Sequence, residues 1–392
     1  MSDGLILPPG TPEHLRGRLV EVARREWPDP ADFDFEMLET FLTDQGVLGR
    51  PAGDLASGVA APAGAALLLS GDLRPHSRTS RPQPSPAAGV PAVCAIVYAV
   101  GSKTRPGTSG SQESARIGDW TPSWTPRQHA QSVVSVRQAI AAGDVYQVSI
   151  VGHQSANFSG RPGAVGDALD QLPGTPFSGA MTGAGWSVFS ASPECLLGVR
   201  DGIAVTRPIK GTVAAAGDPA ADERARARLA SSVKDHAEHV MIVDLARNDL
   251  GRVAAVGGVR VPELYAVRRL AGVWHAESTV TATLAPGVRL SQLLDAVFPG
   301  GSVTGAPKLA ALDLIDRLEP VGRGPSMGAL GWIGADGSMQ LGLTIRTVAV
   351  TEGRIHLWTG GGITWGSEPD EEVAEAAVKA APLLRRLASI GS

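Results

Sequence analysis

The residue order predicts an α+β fold, an antiparallel sandwich with helices rather than a parallel sheet built from βαβ units. Three observations carry this. Near the C-terminus three strand-like segments, 327–334, 339–350 and 354–359, are separated by Ala335-Asp336-Gly337 and Glu352-Gly353, turns short enough for a meander. Residues 176–199 read as a hairpin turning at Ala184-Gly185. Antiparallel strand-like segments and long helical stretches alternate along the chain.

Taken in order, residues 1–118 carry the weakest patterns and form a variable N-terminal region, followed by a larger unit over 119–392. Residues 36–41 suit a helix, and 61–70 and 92–100 suit buried strands. Residues 74–91 and 101–113, dense in Pro, Ser, Gly and charge, read as exposed loops. Thr125-Pro126 supplies a hydroxyl cap and a proline at the first helical position. Val133, Val136 and Ile140 then give the helix its apolar stripe, and Gly143 ends it. Residues 144–152 follow as a strand, and 218–250, rich in Ala, Arg and Glu, as one long helix. Residues 290–297 are helical, and 298–308 form a glycine-rich loop that opens a helix over 310–318. Ser367, with Pro369 just inside, caps a long final helix.

Composition excludes several classes. A chain of 392 residues buries a substantial core. A net charge of −4 and a pI near 6.1 advertise no surface for nucleic acid. No run reaches the ~18 uninterrupted apolar residues of a membrane helix. MSDGLILPPG lacks the basic flank and apolar core of a signal peptide. Cys94 and Cys195, far apart in apolar contexts, exclude a disulfide scaffold or a cysteine zinc site and suit a reducing, cytoplasmic compartment.

Chemistry concentrates in residues 206–249, from TRPIKGT to KDHAEHVMIVDLARND. Lys210 ends an apolar run at a glycine. An amine drawn partly out of water gives up its proton more readily and becomes a nucleophile. Asp235 and Glu238 stand at i and i+3 on one helical face. Glu372 and Glu375 repeat the spacing in the last helix, with Lys379 on the same face. One acidic first turn is ordinarily a solvated face that complements the helix dipole. Two such pairs suit a hard divalent cation such as magnesium, held between two helices. Glu194, beside Cys195, Leu196 and Leu197, is a carboxyl whose apolar surroundings favour the protonated form, as a general acid requires. FPGGSVTGAPK has the glycine spacing of a phosphate loop, but Ala-Pro-Lys stands where Gly-Lys-Ser/Thr belongs, so the nucleotide reading fails. Its backbone N–H groups and Thr304 suit a carboxylate. Gly360-Gly361-Gly362 lacks dinucleotide spacing and suits close approach of a ligand to the backbone. Gly257-Gly258 reads as a turn.

PIKGT, KDHAEHVMIVDLARNDLGRV, FPGGSVTGAPK, LTIRT and the GGGI-to-EEVAEAAVK tail, in this order, resemble the chorismate-utilising enzymes over residues 120–384. The resemblance implies two antiparallel β-sheets packed as a sandwich and flanked by helices, with a cleft active site. Residues 1–118 then correspond to an abbreviated N-terminal region, and 119–392 to the chorismate-binding catalytic domain. It implies magnesium, with Glu238 and Glu375 as direct ligands, Asp235 and Glu372 acting nearby through water, and the ring carboxylate of chorismate as the bound group. Arg346 in LTIRT is similar to the arginine that clamps the enolpyruvyl carboxylate. Gly211, Thr212, His275, Thr304, Gly361 and Lys379 line the site in the same reading. Glu194 resembles the acid that protonates the departing ring hydroxyl.

Two positions choose among members. Lys210 in PIKGT matches the aminodeoxychorismate synthases, where anthranilate synthases carry alanine. Gln147 in VYQVS stands where the water-using synthases carry a lysine base, and an amide cannot deprotonate water. Both point to amination at ring carbon 4, giving 4-amino-4-deoxychorismate for p-aminobenzoate in folate or antibiotic biosynthesis. No Gly-x-Cys-x-Gly elbow is present, so ammonia is expected from a separate glutaminase subunit. Amination at carbon 2, to anthranilate or aminodeoxyisochorismate, is the alternative, ahead of an isochorismate or salicylate synthase. A silent chorismate-binding subunit would not need Glu194 and Lys210 together with Glu238 and Glu375. Cys195 in SPECLL and Ser326, where relatives have an aromatic residue, imply weaker substrate binding. No LLES-like segment for feedback tryptophan is evident.

Overall fold

The computed structural model describes residues 7–49, 61–75, 80–101, 115–214, 218–270 and 273–390. The chain runs β1 (Leu19–Trp27), α1 (Phe35–Asp44), β2 (Pro62–Leu69), β3 (Val93–Val100), β4 (Arg116–Ile117), β5 (Thr121–Pro122), α2 (Pro126–Ala142) and β6 (Gln147–Ser159). Next come α3 (Gly163–Leu169), β7 (Phe177–Gly183), β8 (Trp186–Ser192), β9 (Cys195–Arg200), β10 (Ile203–Arg207), β11 (Ile209–Ala214), α4 (Pro219–Ala230) and α5 (Val233–Gly251). It ends with β12 (Ala254–Leu270), β13 (Val273–Leu284), α6 (Leu290–Val297), β14 (Gly305–Ala306), α7 (Lys308–Leu318), β15 (Ala329–Gly334), β16 (Met339–Leu343), β17 (Thr347–Thr351), β18 (Arg354–Ile363) and α8 (Pro369–Ala388). Among the described residues no helix is long and apolar enough to cross a membrane.

The fold is α+β. One antiparallel sheet has the order β1-β3-β2-β15-β16-β9-β10-β13-β11, with β12 on β13; the other has β14-β6-β18-β17-β8-β7, with β4 and β5 on β6. The main core lies between them, joining Leu67, Leu197 and Trp332 of the first sheet to Val151, Val188 and Trp358 of the second. At two tight corners one strand leads directly into a strand of the other sheet. β8 belongs to the second sheet and β9 to the first, so Pro193-Glu194 is a crossing and Glu194 lies on no strand. The expected single strand 339–350 is likewise two: β16 stays in the first sheet, Thr344–Arg346 turns, and β17 joins the second. Arg346 takes the turn with φ of 50°, a left-handed conformation unusual for a side chain of its size. The corners are bonded together: Leu343 N–H donates to Glu194 O (3.1 Å) and Ala191 N–H to Arg346 O (3.1 Å).

Other expectations shift for local reasons. The helix expected over 218–250 breaks into α4 and α5, because Ser231 ends the first and the Ser232 hydroxyl accepts from Asp235 N–H (3.2 Å) to start the second. The Ser367 hydroxyl accepts from Thr364 N–H (3.0 Å) in the preceding turn, and Glu368 takes the N-cap position of α8. Gly257-Gly258 sits within β12 at an irregular stretch of the β12–β13 pairing, with Gly257 at φ +68°. The loop expected at 74–91 is pinned down: Arg74 pairs with buried Asp316 (2.7 Å), and Ser80 donates to the same carboxylate (2.8 Å). Residues 76–79 of that loop and 102–113 of the second lie outside the described residues.

A buried ion pair joins this scaffold to the glycine-rich loop. Arg323 is 2 % exposed and donates to both Glu319 oxygens (2.9 and 2.6 Å), to Ser149 O (3.0 Å) and to Val303 O (2.5 Å). Glu319 in turn accepts from Val151 N–H (2.9 Å). Removing one partner leaves the other charge buried, at a cost of about 3–5 kcal/mol. Glu319→Ala should lower unfolding stability by that amount in urea titration. A loss under about 1 kcal/mol, the size of a surface pair, would contradict this account.

Candidate active site

The cleft is bounded on one side by β11, β13 and α5 and on the other by β6, β18 and α8. Strand β11 bulges away from β13 between Ile209 and Thr212. Gly211 follows Lys210 at φ +84°, and a Cβ there would stand 2.7 Å from Leu229. Glycine therefore lets the strand turn Lys210 toward α5, where Lys210 Nζ lies 2.8 Å from Glu238 Oε2. The other oxygen of Glu238 accepts from the Thr364 hydroxyl (2.9 Å), just beyond β18. One residue on, fully buried His239 bonds Ser278 Oγ of β13 (2.6 Å) and fixes the rotation of α5. Asp235 lies beside Gly211, its Cγ 3.7 Å from where a Cβ there would stand.

Glycines of β18 open the opposite wall. A Cβ at Gly362 would lie 3.3 Å from Lys210 Nζ and 3.0 Å from Gln147 Nε2; one at Gly361 would lie 3.2 Å from Glu372 Oε2 and 3.4 Å from Lys379 Nζ. Lys210, Gln147, Glu372 and Lys379 thus gather around two glycines. Buried Gln147 leaves Oε1 without a hydrogen-bond partner among the described residues. Lys379 bridges Glu375 (2.7 Å) and Gly360 O (3.2 Å). Burial raises the Glu372 carboxyl above its ordinary range; Ser367 opposes this, Glu375 adds to it, and Lys210 and Lys379 oppose it.

Glu194 is 5 % exposed. Burial pushes its carboxyl up to about 7, against the Ser302 hydroxyl, which donates to Oε1 at 2.6 Å, and the Ile209 N–H; nearby Glu277 adds to the rise. The carboxyl is therefore half protonated near neutrality. Buried His275, opposite Thr212 across β11–β13, is lowered to about 4 by burial and then by Arg346, which places these two side chains together in the wall. Burial lowers the Arg346 guanidinium too, and among the described residues it makes no ion pair. Thr304 is buried with its hydroxyl donating to Gly300 O (2.8 Å). The Thr212 side chain lies outside the described residues. Ser326 is fully buried and donates to Thr344 O (3.3 Å) at the corner before Arg346.

Two partners were not singled out from sequence: Ser302, which holds Glu194, and Thr364, which holds Glu238. Ser302 lies inside FPGGSVTGAPK, where the glycines and Thr304 carry the stronger pattern. Thr364 follows GGGI with no polar pattern to mark it.

The four carboxylates fit a hard cation by chemistry. Each pair has one buried member, Glu238 and Glu372 at 7 % exposed, beside a more open one, Asp235 and Glu375, and neighbouring Glu375 adds to the rise of the Glu372 carboxyl. Such carboxylates call for a positive charge. Here lysines supply it. Among the described residues no three His, Cys, Asp or Glu side chains stand together so as to hold a metal ion, so a cation here would need water or substrate oxygens for most of its shell.

A family model for chorismate binding enzymes matches residues 75–385. The chain is 38% identical over 279 residues to aminodeoxychorismate synthase component 1 of Escherichia coli K12, covering 71% of this chain and 62% of that protein. It is 39% identical over 266 residues to anthranilate synthase component 1 of Streptomyces coelicolor, covering 68% and 52%. The chain thus spans less than two thirds of the length of these relatives. In fold it resembles the solved anthranilate synthase component I of Streptococcus pneumoniae TIGR4, with a TM-score of 0.76 and 24% identity over 93% of this chain and 92% of that one. With sheets, cleft and motifs in agreement, the chain belongs to the chorismate binding enzyme family.

Proposed function

We propose that this protein aminates chorismate at ring carbon 4 to give 4-amino-4-deoxychorismate. The observation that carries this reading is Lys210 Nζ, held on Glu238 and facing Gly362 and Gln147 in a cleft that also contains a protonatable Glu194. Glu194 gives its proton to the carbon-4 hydroxyl, which leaves as water. The neutral Lys210 amine adds at carbon 2 as that bond breaks and the ring double bond shifts. Ammonia then bonds to carbon 4, the double bond shifts back, and the bond from carbon 2 to Lys210 breaks. Gln147, an amide, has no base strength to activate water, which favours nitrogen over hydroxyl.

Arg346, a guanidinium without an ion-pair partner in the described wall, is suited to the enolpyruvyl carboxylate. Magnesium would be held by Glu238 and Glu375, with Asp235 and Glu372 close by; when bound it supplies charge neutralisation and an anchor for the ring carboxylate. Lys210 then has to leave Glu238, which places its nitrogen at the substrate. Ammonia is read as coming from a glutaminase partner. Both cysteines are buried and neither lies in a nucleophile elbow, and the Escherichia coli relative is itself named as a component. The resemblance to anthranilate synthase component 1 keeps amination at carbon 2 as the second reading; the lysine at position 210 favours carbon 4.

With chorismate, magnesium and saturating ammonium, Lys210→Ala should lower kcat for 4-amino-4-deoxychorismate by about a hundredfold or more while KM changes little. Wild-type kcat in this variant, with the product verified by mass and chromatography, would remove Lys210 from the chemistry. Glu238→Gln should weaken magnesium binding in calorimetric titration and cost several kcal/mol in kcat/KM, on the order of a hundredfold. Unchanged binding and rate would sink the metal reading.

The protonated form of Glu194 is the active one, so at constant free ammonia kcat/KM should fall as pH rises through about 7. Ser302→Ala removes a hydrogen bond that favours the carboxylate and should move this alkaline limb to higher pH. A limb that stays in place or moves lower would contradict the assignment.

A further inference from the structure

The proposed reaction spends the Glu194 proton in every turnover, since it departs in the water formed from the ring hydroxyl. Ammonia arrives neutral and the amine is protonated at neutral pH, so one proton per cycle comes from solvent. Glu194 is 5 % exposed, and in the proposed reaction the substrate stands between its cleft side and solvent. A small cavity of about 30 Å³ touches Glu194 on a side lined by neither Lys210, Gln147, Glu238 nor Gly362. It is walled by Ser302 and Gly301 of the glycine-rich loop, by Ala246 and Asp249 of α5, and by Thr206. The rest of the lining is apolar, but Glu194, Thr206, Asp249 and Ser302 give that volume the polar partners it needs to accommodate one or two water molecules. Thr206 donates to Cys195 O (3.4 Å), whereas Ser302 donates to Glu194 itself. Asp249 is 7 % exposed, and Lys308 of α7 holds its Oδ2 at 2.8 Å. Ala246, Gly301 and Ser302 are only half-buried, so solvent lies just beyond this wall.

We propose that this cavity is a proton-return path, in which Asp249 and Ser302 carry a solvent proton to the Glu194 carboxylate after each turnover. The inference rests on the reading of Glu194 as the general acid. Asp249 takes a proton from solvent and passes it to cavity water. That water protonates Ser302 Oγ as the hydroxyl proton of Ser302 moves to Glu194 Oε1. One proton enters, Glu194 is reloaded, and Asp249 and Ser302 end as they began. Burial raises the Asp249 carboxyl, with Lys308 and Arg252 opposing, which brings it nearer to Glu194 as a proton carrier. The path also gives a role to the Asp of DLARND and the Lys of GAPK, which reach neither the glycine wall nor the carboxylates around it.

A purely structural Asp249–Lys308 pair and a proton path differ in what happens after the first turnover. In rapid-quench experiments with chorismate, magnesium and ammonium, run on the acid side of the Glu194 pKa of about 7, Asp249→Asn should form the first equivalent of product at the wild-type rate, because Glu194 there starts protonated. Later turnovers should slow by about tenfold or more and recover as imidazolium buffer is raised at constant pH. Ala246→Val, which narrows the cavity and leaves the ion pair intact, should give the same burst, and it decides the matter if Asp249→Asn does not fold. Equal loss of first and later turnovers, an unchanged steady state, or a burst indifferent to buffer would overturn the path. Glu194→Gln is the control: it should lose the first turnover, and if it keeps that turnover the general-acid reading itself fails.

Discussion

The ion pair between Lys210 and Glu238 is the contact on which the site depends. It joins a strand of the first sheet to α5, and through Thr364 the same carboxylate is tied to the end of β18 in the second sheet. Loss of either charge would leave the other in a poorly hydrated cleft, where an unpaired ion is costly. The pair also sets a competition. In the proposed reaction a divalent cation would compete with the lysine for the Glu238 oxygens, and its binding would free the lysine as the nucleophile. Lys379 on Glu375 repeats the arrangement across the glycine wall.

Topology supplies the rest. Glu194 and Arg346 sit at two tight corners where one strand leads directly into a strand of the other sheet, and backbone bonds hold these corners side by side. Corner residues escape the alternation that would commit a side chain to core or solvent. An acid and a guanidinium can therefore be buried at the seam without interrupting either sheet. The Arg323–Glu319 pair does comparable work behind the cleft, fixing the carbonyls of Ser149 and Val303 on either side of Thr304.

Much of the site was legible because its residues lie in short motifs whose chemistry is local. Lys210 before a glycine, Glu238 and Glu372 in acidic i, i+3 pairs, and glycines opposite them all follow from residue type and spacing. The hairpin turn at Ala184-Gly185 was equally plain. The split of 339–350 into two sheets was not, since Leu343 to Arg346 keeps an apolar–polar alternation into the corner. β12 was hidden for another reason. Both faces of β12 are largely exposed, and Pro262 stands where the pairing slips, so no periodicity marks it as a strand. Arg74 read as a solvated charge because its partner, Asp316, lies far along the chain. Ser302 and Asp249 gain meaning only from the cavity that brings them to Glu194.

The central claim is that Lys210 bonds to the substrate. Its most direct test is intact-mass analysis after mixing the protein with chorismate and magnesium in the absence of ammonia, followed by peptide mapping. The account predicts that the chain gains the mass of chorismate less one water, on the peptide that carries Lys210, and that ammonium then discharges it as 4-amino-4-deoxychorismate. Formation of that product with no adduct on Lys210 at any time would contradict it.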